Sequence, residues 1–258
     1  MVMEMTFLGT GTSVGVPMIG CHCPVCESAD PKNKRRRSCF YVKTAETAFV
    51  IDTPPDFRQQ MLDARIERLD AVVFTHAHAD HLFGFDDIRR FNTLQGKELP
   101  AFAVPETLGR IQNIFDYIGR VPPANGLFRP LIRFEPVEGP FEIGDVRLTP
   151  LDVEHGVKTS GFLLECGGRR VGYISDCKRI PDSTMAVLRD VDVMVLDALR
   201  DRPHPTHMCV AEALDALALI GAKRSYLTHL SHDLDHTALS ARLPETVFAS
   251  YDGLRIEV

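Results

Sequence analysis

No stretch of the 258-residue chain is apolar for long enough to cross a bilayer: its apolar runs, such as 191–196, are strand-length, against the about 20 residues a spanning helix needs. Basic residues are outnumbered, 29 Lys and Arg against 35 Asp and Glu, and the net charge of −6 argues against a general nucleic-acid binder. A local basic site stays open. Internal repeats, low-complexity tracts and long linkers are absent, so one domain over 1–258 is expected. The opening MVMEMTFLGTG carries an acidic residue and lacks the basic-then-apolar order of a secretion leader. A cytoplasmic location is expected, with no membrane partner. Seven cysteines, an odd set without a leader, do not read as a disulfide framework.

What is present is ordinary globular composition, 45% hydrophobic and 25% charged, patterned as strands alternating with helices. Strands are expected at 5–9, 47–52, 69–75, 146–151, 161–166, 170–175, 191–197 and 225–228. Helices are expected at 56–64, 83–94, 106–118 and 208–220, with a short one near 237. The segment 126–144 is turn-rich and reads as irregular. Stacked sheets covered by helices fit this order. Periodicity alone fits a doubly wound sheet equally well.

The strongest local signal is Thr75-His76-Ala77-His78-Ala79-Asp80-His81, which leaves the apolar run 71–74. Histidines two apart share one face of a strand, but Asp80 and His81 cannot both join them there. Convergence of all four therefore requires a tight, irregular turn. Three further candidates close later strands: His155 after 148–154, Asp176 after 171–175 and His229 after 226–228. Singly each is a weak signal. Asp52, ending the run 49–51, reads as a nearby supporting carboxylate rather than a ligand.

The block HAHADH resembles the HxHxDH signature of the metallo-β-lactamase superfamily. That resemblance implies an αββα sandwich, two facing mixed sheets with helices outside, of α+β class. It implies two divalent ions: His76, His78 and His155 on one, Asp80, His81 and His229 on the other, with Asp176 bridging. Such mixed nitrogen and oxygen shells suit Zn, Mn or Fe.

A second signal is the knuckle Cys21-His22-Cys23-Pro24-Val25-Cys26, within a loop at about 20–27. Three thiolates at this spacing suit one tetrahedral Zn, and the fourth ligand is His232 by preference or His22. With four protein ligands, that zinc would be structural. Cys39, Cys166, Cys177 and Cys209 read as small core residues. Within the superfamily, the knuckle resembles that of the phosphodiesterases of the carbon–phosphorus lyase pathway, which act on phosphoribosyl cyclic phosphate.

The expected activity is therefore hydrolysis of a small phosphodiester, cyclic ones included, by a hydroxide shared between two ions, with Asp80 in the catalytic set. The resemblance implies that protonation of the departing oxygen falls to His207, 22 residues before His229, about where related phosphodiesterases carry a catalytic histidine, with His204 in reserve. In the basic run 32–37, Arg37 is the candidate for substrate phosphate; Arg89 and Arg90 are weaker ones. Rival readings are a ribonuclease Z-type tRNA endonuclease, an oxidative enzyme resembling the pyrroloquinoline quinone biosynthesis protein, a carbonyl-ester hydrolase, and an idle zinc-binding scaffold. The chain shows no Gly/Pro-and-basic insertion of the kind ribonuclease Z uses to grip tRNA. Family resemblance also implies a homodimer.

Overall fold

The computed structural model describes residues 2–118 and 129–258. Its layers follow from how side chains alternate along the strands. In the first sheet the strands are β1 (Glu4–Gly9), β2 (Cys39–Lys43), β3 (Ala48–Ile51), β4 (Ala71–Val73), β5 (Leu99–Ala103) and β6 (Ile132–Pro136). The second holds β7 (Phe141–Ile143), β8 (Val146–Val153), β9 (Thr159–Cys166), β10 (Arg169–Ile174), β11 (Val193–Asp197), β12 (Arg224–Thr228) and β13 (Val247–Ala249). The last strand, β14 (Arg255–Glu257), returns to the first sheet beside β1.

Phe49, Ile51, Val73, Val193 and Val195 join the core between the two sheets, where Phe40 stacks on Tyr173 at 4.7 Å. Their neighbours Val50 and Val72 face helices on one outer side, and Met194 and Leu196 face helices on the other. Period-two alternation thus buries both faces, the condition under which strands read as continuous apolar runs. The result is the expected αββα sandwich of two seven-stranded mixed sheets, ordered β14-β1-β2-β3-β4-β5-β6 and β13-β12-β11-β10-β9-β8-β7.

The two sheets repeat one plan. In each, antiparallel pairing gives way to parallel pairing, across β3–β6 in the first and β10–β13 in the second. Parallel neighbours end on the same side of a sheet, so the loops after β3 and β4, and those after β10, β11 and β12, gather there. Open sheets bind ligands at such carboxyl ends. No described helix is long and apolar enough to cross a membrane.

Several elements differ from the sequence reading. The span 83–94 is not one helix: Ala79–Leu82 and Arg89–Gln95 are separate, with a tight turn at Phe85–Ile88. Gly84 explains the break, because a Cβ there would lie 2.1 Å from the Pro54 carbonyl oxygen. The helix expected to reach 118 stops at Ile114; Phe115 leaves helical backbone and packs its ring on Phe83 and Phe85. Of the segment read as irregular, 126–128 lies outside the described residues, and the rest contributes β6 and β7. Both are short edge-region strands with mixed burial, which weakens their alternation. The short strands β5, β13 and β14 and the helix Asp182–Leu188 were not anticipated.

Candidate metal centre

The loop after β4 is fixed by Asp52. This residue ends β3 in left-handed backbone (φ 67), a region that aspartate tolerates better than most residues. Its carboxylate accepts the Thr75 N–H at 2.9 Å, the Thr75 hydroxyl at 2.8 Å and His81 Nδ1 at 2.7 Å. His76 to His78 then run into the single turn Ala79–Leu82, the tight irregular path the motif demanded. Asp52 touches a candidate ligand, as its strand-end position had suggested.

Two donor groups form. His76, His78 and His155 make the first; Asp80, His81, Asp176 and His229 make the second, and within each the ligating atoms lie within 4.8 Å of one another. Asp176 also falls into a third group with His155 and His207. One carboxylate therefore reaches both sides of the centre. The three late residues arrive from the ends of β8, β10 and β12, as strand position predicted. His229 needs left-handed backbone (φ 58) to do so.

Four of the five candidate ligand imidazoles, all but His78, have Nδ1 held by the protein. His155 Nδ1 donates to the Thr206 carbonyl at 2.8 Å, and His81 Nδ1 to Asp52. His229 Nδ1 lies 3.1 Å from Ser38 Oγ, and His76 Nδ1 2.9 Å from Thr75 Oγ1. Such partners fix the ring so that the other nitrogen is free to ligate. Sequence gave no hint of Ser38 or Thr206 in this role.

The donor set fits divalent cations. His81 Nε2 and Asp176 Oδ1 lie 3.1 Å apart, and both are buried with no hydrogen-bond partner. Orphaned polar atoms of this kind call for an explanation, and a shared ion supplies one. Burial drives His229 down to about 4, and burial with the charge of His81 pushes His76 well below the ordinary imidazole value. Asp176 is held well below the carboxylate range: burial opposes this, but His229 and His81 win. Neutral imidazoles and ionised carboxylates are what a cation requires. His81 runs the other way. Burial disfavours its charge, yet the carboxylates of Asp176, Asp52 and Asp80 push it well above 6.5, a positive charge that an ion would replace.

His207 stands beside the donors, its ring stacked on His229 at 4.8 Å with an interplanar angle of 10°. Its Nδ1 is 2.8 Å from Asp197 Oδ2, and Asp197 also accepts the Cys177 N–H. Burial lowers the pKa of His207, but the bond and charge of Asp197 raise it on balance. Asp197 ends β11 and was missed by sequence reasoning; its strand-end position, like that of Asp176, was the available signal. His207, Asp80, His155 and Asp176 line an open cavity of 430 Å³. His204 is not in that lining; its Nδ1 accepts the Thr206 N–H at 3.3 Å.

Arg37 is not brought to the cavity wall. Its guanidinium bonds both Asp56 oxygens, at 3.1 and 3.0 Å, and the Ser13 carbonyl at 2.9 Å. Its Nε and Nη1 are thereby committed to Ser13 and Asp56. Arg89 pairs with Asp86. Arg35, in the same basic run, is buried and donates to the carbonyls of Ser231 and Leu234 at 2.8 and 2.7 Å. The run thus anchors the loop that follows β12.

That loop also carries His232, whose Nδ1 lies 3.3 Å from Cys21 Sγ and 3.4 Å from Cys23 Sγ; Cys26 completes the group. His22 points outward to Glu27 at 2.9 Å and is not part of it. The Cys26 N–H and His232 lower the Cys23 thiol to about 6, while burial lifts Cys26 to about 11. Three sulfurs and one imidazole nitrogen are a tetrahedral zinc set. The other four cysteines are buried.

A two-sheet sandwich with a histidine–carboxylate cluster at its strand ends defines the class of the fold, that of the metallo-β-lactamases. Residues 47–230 match the family model described as Beta-lactamase superfamily domain, and the chain belongs to that family. It is 36% identical to an octanoyltransferase of Porphyromonas gingivalis, over 98% of this chain and 51% of that protein. The chain therefore spans about half the length of that relative. It is 28% identical to coenzyme PQQ synthesis protein B of Methylobacterium radiotolerans, over 76% of this chain and 72% of that protein. Among solved structures, a diphosphatase from the PhnP family superposes with a TM-score of 0.91 at 36% identity, covering 100% of this chain and 98% of that one.

Proposed function

We propose that the chain is a metal-dependent phosphodiesterase for small, soluble phosphodiesters, cyclic ones included. The observation that carries this reading is Asp176, a single carboxylate belonging to donor groups on both sides of the centre. His76, His78 and His155 would hold one ion and Asp80, His81 and His229 the other, with Asp176 within reach of both. When bound, the pair supplies an activated hydroxide and neutralises charge on phosphoryl oxygens. The remaining work falls to the protein. Asp197 holds His207 by Nδ1, which leaves Nε2 to carry a proton to the departing alkoxide oxygen. The cavity of 430 Å³ suits a mononucleotide-sized substrate rather than a folded RNA. The diphosphatase relative supports chemistry at phosphorus. It also favours a second reading, hydrolysis of a diphosphate anhydride at the same centre.

Bis-p-nitrophenyl phosphate and ADP, each offered with Mn or Zn, separate these readings. Diester turnover is expected to dominate. Dominant ADP cleavage favours the anhydride reading, and inertness toward both at full metal loading overturns the proposal.

A further inference from the structure

The cavity is also lined by Ser13, a residue outside the donor groups, together with Gly156 and Thr206. Ser13 sits in the turn Thr12–Gly15, closed by the Gly15 N–H on the Thr12 carbonyl at 2.8 Å, with Gly15 in left-handed backbone (φ 66). The flanks of this turn are tied down: Gly11 to Arg36, Thr12 to Leu230, Val16 to Arg35 and Thr10 to Asp252. Within it, the N–H groups of Ser13 and Val14 and the Ser13 hydroxyl make no hydrogen bond among the described residues. Both residues are exposed. The Ser13 carbonyl accepts from Arg37 Nε at 2.9 Å, and Arg37 is fixed in turn by Asp56.

Three donors on an anchored turn at the edge of a reaction cavity form a cradle for oxygen atoms. We propose that Ser13 determines specificity by bonding hydroxyl or phosphoryl oxygens on the part of the substrate that does not react, and that Arg37 and Asp56 are positioning residues for it. The inference rests on the phosphodiester reading. It gives Arg37 a role in recognition one bond removed from the substrate.

The test compares steady-state kinetics on bis-p-nitrophenyl phosphate, which has no hydroxyl, with 2′,3′-cyclic AMP and 3′,5′-cyclic AMP. Ser13→Ala is expected to raise KM for a cyclic nucleotide by about 5–10-fold, the worth of one lost hydrogen bond, with kcat within about 2-fold and bis-p-nitrophenyl phosphate unaffected. Arg37→Ala is expected to reproduce that rise, and the double variant to add nothing further. Arg37→Lys keeps a charge beside Asp56 but cannot also span to Ser13, so it should match Arg37→Ala in KM while keeping the melting temperature. Equal KM changes on all substrates, or none with Ser13→Ala, overturn the inference. So does a wild type that cleaves bis-p-nitrophenyl phosphate but neither cyclic nucleotide, which leaves the phosphodiesterase reading standing. A wild type inert on every diester removes both.

Discussion

The two metal-type clusters are built in opposite ways. The histidine centre draws its donors from the ends of β4, β8, β10 and β12, and four of its seven side chains, His76, His81, Asp176 and His229, are buried between the two sheets. Its rings are held by Asp52, Ser38, Thr75 and the Thr206 carbonyl. The cysteine knuckle is local. Three thiols within six residues surround one distant imidazole, backed only by a small cluster with Val16 and Val25. A preformed site asks little of the ion to become ordered, whereas a local loop takes much of its order from the ion. Loss of function and loss of stability should therefore separate between the two.

The sharpest break is expected at Asp176. Asp176→Ala removes the carboxylate both donor groups share, and kcat on bis-p-nitrophenyl phosphate should fall by about 10³-fold or more while the fold persists by circular dichroism. His207→Gln comes next: a loss of about 10²–10³-fold in kcat with metal content unchanged, measured by elemental analysis beside the assay. Asp52→Asn should weaken metal binding at the histidine centre by about 10–100-fold, read by competition with a chelator, because His81 loses its orienting partner. Cys23→Ser inverts the pattern. One zinc per chain should be lost and the melting temperature should drop by roughly 5–10 °C, with activity at low temperature reduced less than about 10-fold. Smallest of all is His22→Ala, whose exposed contact with Glu27 should leave zinc content and melting temperature unchanged within about 1 °C. Equal thermal losses for Asp176→Ala and Cys23→Ser would erase the distinction between a preformed and an ion-ordered site.

Which of these residues were legible in the sequence follows from how far apart their partners lie. HAHADH is legible because packing does not explain four donors in six positions, whereas His155, Asp176 and His229, each weak alone at a strand end, became candidates only through the resemblance that the block carries. His232 was favoured over His22 by its spacing from His229, and the geometry agrees. Asp197 offered only its strand-end position, and Ser38 carried no signal, because its contact with His229 joins segments 191 residues apart that meet only in the folded chain. Arg37 illustrates the limit of chemical type as a guide. A guanidinium suits phosphate, but it suits Asp56 as well, and only the folded chain decides which is nearer. The same holds for secondary structure. The long apolar strands were visible, whereas β5, β13 and β14 are too short for alternation to be read, and Gly84 looked harmless until the Pro54 backbone lay against it.

The repeated plan of the two sheets has a consequence for how the molecule can be taken apart. His76, His78, Asp80 and His81 belong to the first half, and His155, Asp176 and His229 to the second, so each half owns an incomplete coordination sphere. Chains divided at the exposed turn around Gly139 would each be catalytically silent. On the proposed function, mixing them would restore turnover only in proportion to reassembly, so that the assay would report how far the seam has closed.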